Sequence, residues 1–226
     1  MVTTKEARAT AKKIVSIVDP ISITVFGSVA RKGIGEDLDL LVVVDDHALS
    51  VNDCQLAIYR KLKRLYKKFA IDPIVVTYST LNETFFQASP FLHAIAREGR
   101  TLYMKNATQV WLDQAKEELD TAEYLLHGEY YKGACYHAQQ ALEKTIKAKL
   151  LKKGWELEKT HSIARLVELG KEYRIKLKIT DEEIIFIDGI YRGRYPAEAG
   201  LLPLRDPNKE DAERAISIAR RLLFAQ

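Results

Sequence analysis

The sequence predicts a two-domain protein, in which an α/β domain with a small mixed sheet is followed by an all-α helical bundle. Two observations lead to this prediction. Up to about residue 104, short apolar runs that suit strands alternate with segments whose apolar residues recur at helical spacing. From about residue 108 onward, only the helical spacing persists. The boundary is therefore predicted near Lys105-Asn106-Ala107, with domains at residues 1–105 and 108–226.

The first domain is predicted to begin with a helix over residues 3–18, which ends at Asp19-Pro20 because the residue before a proline disfavours helical backbone. A second helix is predicted over about residues 50–69. Helix starts are expected at the capping-box pattern Thr80-x-x-Glu83 and at Ser89-Pro90. Runs rich in branched apolar residues predict the strands, which are expected at residues 21–26, 37–44, 71–77 and 100–104.

The second domain is predicted to consist of helices alone. Apolar residues at helical spacing mark one helix from Trp111 to Leu126 and a longer one from Tyr131 to Leu150 that ends near Gly154. A third helix is predicted from about Ser162 to Tyr173. Two more are expected to open at Thr180-x-x-Glu183 and at Asp206-Pro207, which completes a bundle.

Net charge, cysteine content and apolar runs indicate which partners and which cellular compartment to expect. The net charge of +4 is small, and its even distribution leaves nucleic-acid binding possible but not indicated. The denser run from Arg60 to Lys68 favours a solvated helix face over a phosphate-binding stripe. Cys54 and Cys135 lie within helical patterns, which favours a reducing compartment without disulfides. Because no apolar leader and no membrane-length apolar run is present, we expect a cytoplasmic protein that does not enter a membrane.

Two carboxylates at the start of a predicted strand form the first candidate site. Asp37 and Asp39 are two residues apart, so a strand places both side chains on one face. Neighbouring carboxylates repel each other unless a cation lies between them, and a divalent metal ion is one solution. The alternative is a solvated strand end, where Asp is common. Asp72, at the start of the next predicted strand, is a third candidate ligand if its strand lies beside that of Asp39, although with Pro73 it also suits a plain edge strand.

A glycine and a serine follow the preceding strand. Gly27 allows a sharp turn and a close approach of the backbone to a ligand, and Ser28 adds a hydroxyl and an N–H group. If a short helix begins here, its N-terminus favours an anion such as a triphosphate, with Arg31 and Lys32 near enough to help. Phosphate on one side and carboxylates on the other, with metal between them, is the layout of phosphoryl or nucleotidyl transfer.

This pattern of Gly-Ser, a short loop, Asp-x-Asp and a later Asp resembles the nucleotidyltransferase superfamily, in particular its minimal nucleotidyltransferase branch. The resemblance implies that Gly27 and Ser28 hold the triphosphate of a nucleoside triphosphate. It also implies that Asp37 and Asp39 bind Mg²⁺ or Mn²⁺, and that Asp72 completes the metal site and activates an acceptor hydroxyl. One departure is the loop of eight residues before the first Asp, where Glu36 stands in place of the usual Ser.

The stretch from Tyr130 to Gly154, followed by Thr160 to Gly170, resembles the HEPN family of helical domains. Many HEPN proteins are ribonucleases that use an Arg and a nearby His. The corresponding stretch here contains Arg192 and Arg194, but no His follows, and an imidazole is the natural proton shuttle near neutral pH. Ribonuclease activity is therefore disfavoured. The two arginines suit phosphate or ion pairs, and Glu143 suits either a groove or a hydrogen-bonded network between helices.

The leading functional hypothesis is an Mg²⁺-dependent nucleotidyltransferase that moves a nucleoside monophosphate from a nucleoside triphosphate to a hydroxyl acceptor. The acceptor remains open among a small molecule, an RNA end and a protein tyrosine, with Tyr191 or Tyr195 as self-modification sites on family analogy. The alternative is a non-catalytic nucleotide-binding or toxin–antitoxin-type regulatory protein. A HEPN ribonuclease is the third hypothesis. The family resemblance also implies a possible homodimer through the helical domain.

Overall fold

The computed structural model describes residues 1–47, 49–158, 160–193 and 205–225. The chain divides into two compact units, Met1–Lys105 and Asn106–Gln226. Within the part of the chain that is described, no helix combines the length and the apolar character needed to cross a membrane.

The first unit combines helices with a sheet, as predicted. In chain order its elements are β1 (Val2–Thr3), α1 (Thr4–Val18), β2 (Ser22–Val25), α2 (Gly27–Lys32), β3 (Ile34–Gly35), β4 (Asp37–Val44), α3 (Val51–Tyr66), β5 (Ala70–Thr77), α4 (Tyr78–Phe86), α5 (Pro90–Glu98) and β6 (Arg100–Met104). The sheet has the order β5-β4-β2-β6, in which β2 is antiparallel to β4 and β6 while β4 and β5 are parallel. The predicted small mixed sheet is confirmed.

A second, two-stranded sheet was not predicted. It pairs β1 with β3, with Val2 opposite Gly35 and Thr3 opposite Ile34. Two residues are too few to show the alternation of apolar and polar positions by which a strand is recognised in a sequence. The pairing fixes the loop before β4, because Gly35 lies two residues before Asp37.

Side-chain caps set the helix starts of the first unit. Thr3 and Glu6 form a capping box at α1, and the Ser89 hydroxyl accepts a hydrogen bond from Leu92 N–H at the start of α5. The predicted start at Thr80 is wrong. The cap is Thr77, whose hydroxyl oxygen accepts a hydrogen bond from Thr80 N–H at 3.3 Å. Thr80 is itself three residues after a Thr, so the earlier hydroxyl caps the helix first.

The sheet has a core on each face. Leu38, Leu40 and Val42 of β4 are fully buried in the larger core, which also contains residues of α1 and α3. The intervening Leu41 and Val43 belong to a smaller core with Leu92 and Ile95 of α5. Because successive residues of a strand point to opposite faces, Asp37 and Asp39 lie on the same face as Leu41 and Val43.

The described residues of the second unit form helices, as predicted. These are α6 (Ala107–His127), α7 (Tyr131–Lys152), α8 (Ile163–Glu172), α9 (Asp181–Gly193) and α10 (Lys209–Phe224). The core is lined by small residues of α7, among them Ala134, Ala138 and Ala141, which allow neighbouring helices to approach closely. Thr180 and Glu183 exchange capping hydrogen bonds at α9, as predicted. The last helix begins at Lys209 with Asn208 as its cap, slightly later than the predicted start at Asp206-Pro207.

Glu118 links α6 to α7. Its carboxylate accepts hydrogen bonds from Lys144 Nζ at 2.7 Å and from His137 Nδ1 at 2.6 Å. Burial raises the pKa of this carboxyl, but the hydrogen bonds from Lys144 and His137 outweigh that effect, so the pKa lies below its ordinary value. A carboxyl with a lowered pKa stabilises the fold at neutral pH, and this stabilisation is lost as the pH falls through the lowered pKa.

Replacement of Glu118 by Gln should therefore destabilise the second unit at pH 7 by about 1.5–3 kcal/mol, the usual range for hydrogen bonds to charged groups. The difference from the wild-type protein should shrink as the pH falls below about 4, where an unperturbed Glu is already protonated. Urea unfolding followed by tryptophan fluorescence measures this effect, because both tryptophans, Trp111 and Trp155, lie in the second unit. An equal difference in unfolding free energy at pH 7 and pH 3 would contradict it.

Candidate metal and nucleotide site

Three carboxylates converge at one end of β4 and β5. Asp37 and Asp39 share a face of β4, and the parallel register places Asp72 of β5 directly beside Asp39. One carboxylate oxygen from each of the three residues lies within 4.8 Å of the others. The structure thus brings together the three acidic residues that the sequence predicted as a site.

The electrostatics of the cluster are unfavourable without a cation. Asp39 is half-buried, and burial raises the pKa of its carboxyl above the ordinary value. The negative charges of Asp37 and Asp72 raise this pKa further, while Arg31 has a smaller, opposite effect. Ionising Asp39 therefore costs free energy that a bound cation would offset.

The donor set fits a divalent metal ion. Mg²⁺ prefers oxygen ligands at about 2.1 Å, so two oxygens on one ion are at most about 4.2 Å apart. Oxygens spread over up to 4.8 Å reach a shared Mg²⁺ after a small movement of the side chains. They also suit two ions about 3.5–4 Å apart, as in two-metal transferases.

Gly27 holds the bend after β2 against the carboxylate cluster. Its φ is +68°, and a Cβ atom added at this position would lie 2.0 Å from Asp39 Oδ2. The preceding Phe26 N–H donates a hydrogen bond to the Asp39 carbonyl oxygen at 3.1 Å. A side chain here would displace the carboxylate, so the approach of backbone to Asp39 requires glycine.

Replacement of Gly27 by Ala should weaken Mn²⁺ binding at least about tenfold, because the new methyl group occupies the position of the Asp39 carboxylate oxygen. The left-handed backbone adds strain of about 1–2 kcal/mol. Gly33 provides the matched control: its φ is +78°, but an added Cβ would lie 3.7 Å from its nearest neighbour, Thr4 Oγ1. Isothermal titration should show unchanged Mn²⁺ affinity for Gly33→Ala. Equal losses in both variants would mean that backbone strain alone, and not the contact with Asp39, is responsible.

The other predicted nucleotide-binding residues lie on α2, which begins at Gly27. The Ser28 hydroxyl oxygen is shielded from solvent and has no hydrogen-bond partner among the described residues. It packs so closely on Gly35 that a Cβ there would lie 2.1 Å from it. Arg31 forms an ion pair with Glu98 at 3.2 Å, and Lys32 is exposed. In this conformation a ligand would meet the backbone of Ser28 and not its hydroxyl oxygen.

The predicted groove residues of the helical unit do not form a described site. Glu143 is only 3% exposed, so its assignment to a groove is corrected: it belongs to a buried network. Its carboxylate accepts hydrogen bonds from Lys147 Nζ at 2.7 Å and Gln139 Nε2 at 3.3 Å, and it lies 3.2 Å from His161 Nδ1. The sequence left a hydrogen-bonded network between helices open as the alternative, and the structure shows a network that joins residues of α7 with His161, just before α8.

The remaining predictions for this unit fall largely outside the described residues. The backbone of α9 includes positions Tyr191 and Arg192. The described part of the chain does not include Arg194 and Tyr195.

Tyr66, whose hydroxyl pKa depends on burial and on the charge of Asp72, was not predicted from the sequence. Burial raises the pKa of the Tyr66 hydroxyl, and the charge of Asp72 and the nearby Tyr59 raise it further. Tyr66 ends α3 and therefore lies near the start of β5, which follows within a few residues. The spacing of Tyr59 and Tyr66, seven residues apart on one helix face, is a signal from which this pair could have been found.

One family model matches the helical unit. The family model of the HEPN domain matches residues 108–225. A solved structure from Thermus thermophilus is 24% identical over 53% of this chain and 94% of its own, with a TM-score of 0.42. An archaeal HEPN homologue is 25% identical over 53% of this chain and 93% of its own, with a TM-score of 0.40. The predicted resemblance of the helical half to this family is confirmed by the family match.

A nucleotidyltransferase-like protein from Exiguobacterium sibiricum is 12% identical, covers 96% of this chain and 74% of its own, and has a TM-score of 0.36. No curated protein matches the chain. At these TM-scores the structural likenesses are not evidence for a shared activity, so an activity of the first unit has to be inferred from its own side chains.

Proposed function

The chain belongs to the HEPN family through residues 108–225, and from this premise we propose that its first unit is a divalent-metal-dependent nucleotidyltransferase. The observation that carries the proposal is the convergence of Asp37, Asp39 and Asp72, whose oxygens lie within 4.8 Å of one another. Three carboxylates at the end of two parallel strands are costly unless a cation is bound, and the bend at Gly27 lies directly against them.

The proposed roles follow from the positions of the residues. Asp37, Asp39 and Asp72 hold the cation, and the backbone from Gly27 to Ser28 carries the triphosphate. Asp72 lies on β5, an edge strand of its described sheet, where an acceptor can approach. The acceptor oxygen attacks the α-phosphorus, its proton passes to the Asp72 carboxylate, and the bond from the α-phosphorus to pyrophosphate breaks. When bound, the divalent cation would polarise the α-phosphate and stabilise the negative charge of the leaving pyrophosphate.

Transfer of label from α-³²P-labelled nucleoside triphosphates tests the proposal. With Mg²⁺ present, we expect pyrophosphate release and transfer of the nucleoside monophosphate to a hydroxyl group. Mass spectrometry of the protein itself tests whether Tyr191 or Tyr195 is the acceptor. The double variant Asp37→Asn/Asp39→Asn should neither release pyrophosphate nor transfer label. Equal turnover in the double variant and the wild-type protein would contradict the proposal.

A non-catalytic nucleotide-binding protein is the second candidate. It is favoured by the shielded Ser28 hydroxyl and by the ion pair between Arg31 and Glu98, which engages one predicted phosphate contact. In that case the wild-type protein binds nucleoside triphosphate without pyrophosphate release. Ribonuclease activity of the helical unit is not expected, because residues 195–226 contain no histidine, and an RNA cleavage assay checks this.

A further inference from the structure

The outward face of α3 and the turn after it carries uncompensated positive charge. Residues 60–68 contain six Lys or Arg side chains and no Asp or Glu. The inward face of the helix is apolar: Cys54, Ile58 and Leu62 are at most 2% exposed. The helix therefore directs its cationic side chains to solvent, and the exposed ones include Arg60, Lys61, Lys63, Arg64 and Lys67.

These five cations make no ion pair with any carboxylate in the described part of the chain. Other cations of the same unit behave differently, since Arg31 pairs with Glu98 and Lys105 pairs with Asp19 at 2.7 Å. A patch of unpaired charge attracts polyanions such as the phosphates of a nucleic acid. Positive charge alone does not distinguish a surface that binds nucleic acid from a helix face that is only solvated.

Two aromatic rings next to the cations favour nucleic-acid binding. Tyr59 and Tyr66 have ring centroids 5.2 Å apart. Together with Asn52, Gln55, Leu56 and Pro73 they line an open recess of about 370 Å³. Tyr59 is 54% exposed, so its ring is free to stack with a ligand. Lys63 and Lys67 follow Tyr59 by one and two helical turns on the same face.

The recess and the carboxylate cluster lie on opposite faces of β5, because Pro73 lines the recess and the neighbouring Asp72 points to the other face. Gln55 Nε2 donates a hydrogen bond to the Pro73 carbonyl oxygen at 3.2 Å, and Pro73 directly follows Asp72. A nucleic-acid strand bound at the tyrosines would therefore reach Asp72 around β5, which is an edge strand of the described four-stranded sheet.

We propose that this face of α3 binds single-stranded nucleic acid, with bases stacked on Tyr59 and Tyr66 and phosphates contacted by Arg60, Lys63 and Lys67. Rings interleaved with cations are the arrangement by which proteins bind unpaired strands with little sequence preference. The strand is then the hydroxyl acceptor of the transfer reaction. This second step rests on the proposed function, whereas the binding itself does not.

Fluorescence anisotropy with a fluorescein-labelled 12-mer of uridine RNA, the thymidine DNA equivalent and a duplex of the same length tests the binding. We expect tighter binding of the single strands than of the duplex. Three phosphate contacts should give a slope of log K against log salt of about −2. Tyr59→Ala should weaken binding about tenfold, while Tyr59→Phe should retain it, because stacking needs the ring and not the hydroxyl. Lys63→Gln/Lys67→Gln should reduce the steepness of the slope by about 1.4.

Matched controls test whether binding depends on this surface or on positive charge and exposed rings in general. Lys12→Gln/Lys13→Gln removes the same charge from the exposed side of α1, and Tyr124→Ala removes a ring that is 79% exposed on α6. Both should leave affinity unchanged. Loss of binding in the controls to the same extent, preference for duplex, or no binding at 50 mM salt overturns the inference. Binding of phosphatidylserine vesicles but not of oligonucleotide, through the same lysines, also overturns it and assigns the face to membranes.

A further variant separates this inference from the proposed function. Asp37→Asn/Asp39→Asn should bind the oligonucleotide as the wild-type protein does and should lose transfer. Label on the 3′ end of the strand in the wild-type protein supports the acceptor assignment, and the RNA and DNA arms identify which sugar is accepted. Transfer of label to a protein tyrosine in place of the bound strand overturns the acceptor assignment while leaving nucleotidyl transfer established.

Discussion

Replacement of Asp39 by Asn should lower the rate of nucleotidyl transfer by at least about 10²–10³-fold, the range seen when one preorganised electrostatic contact to a transition state is removed. Asp39 is the central carboxylate, on the same face as Asp37 and in register with Asp72. The same substitution should stabilise the metal-free first unit by roughly 1 kcal/mol, the Coulomb energy of two like charges about 4 Å apart in water. Loss of activity with gain of stability is the signature of a functional cluster of like charges.

Label transfer measures the activity, and hydrogen exchange of the β4 amides measures the stability of this region. Asp45→Asn provides the matched control, because Asp45 is exposed just beyond the other end of β4 and the charge change is the same. The control should keep its activity. A variant of Asp39 that is inactive and less stable than the wild-type protein would indicate a structural role for the carboxylate instead.

Replacement of Glu143 by Ala should destabilise the second unit by about 3–5 kcal/mol, the usual cost of breaking a buried ion pair by removing one partner. The side chains of Glu143 and Lys147 are only 3% and 5% exposed, so the lysine would be left buried without its carboxylate. Lys147 Nζ also lies 5.4 Å from the Trp111 ring centroid. Denaturant unfolding followed by tryptophan fluorescence reports directly on this region.

Two further variants identify the cause of the loss. Glu168→Ala removes a carboxylate that is 65% exposed and 3.6 Å from Arg165, and it should cost at most about 1 kcal/mol, as exposed ion pairs do. The double variant Glu143→Leu/Lys147→Met removes both buried charges and should recover much of the lost stability. If Glu143→Ala costs no more than Glu168→Ala, the buried network does not stabilise the second unit.

The carboxylate cluster could be predicted from local sequence because strand periodicity determines which side chains share a face. The spacing of Asp37 and Asp39 is enough to pair them. The position of Asp72 depends on whether β5 lies beside β4 and in which register, and this is a long-range property that no local pattern contains. The parallel register that places Asp72 beside Asp39 became visible only in the structure.

The helical unit shows where local patterns mislead. The spacing of Glu143 with His137, Gln140 and Lys144 suggests a polar stripe that lines a groove or forms a hydrogen-bonded network. The structure buries α7 on several sides, so part of this stripe faces the interior and is satisfied by Lys147 and Gln139. Likewise, the sequence offers the Ser28 hydroxyl to a ligand, but the close packing of Gly35 shields that oxygen. In both cases the packing of distant segments decides what a polar side chain can reach.

The central claim, that Asp37, Asp39 and Asp72 hold a divalent cation, is tested most directly by titration with Mn²⁺ and electron paramagnetic resonance of the free ion. We predict saturable binding of one or two ions to the wild-type protein, as in one- or two-metal transferases. Asp37→Asn/Asp39→Asn should show no saturable binding, and Asp45→Asn should bind as the wild-type protein does. Identical stoichiometry and affinity in the wild-type protein and the double variant would contradict the assignment of these carboxylates to a metal site.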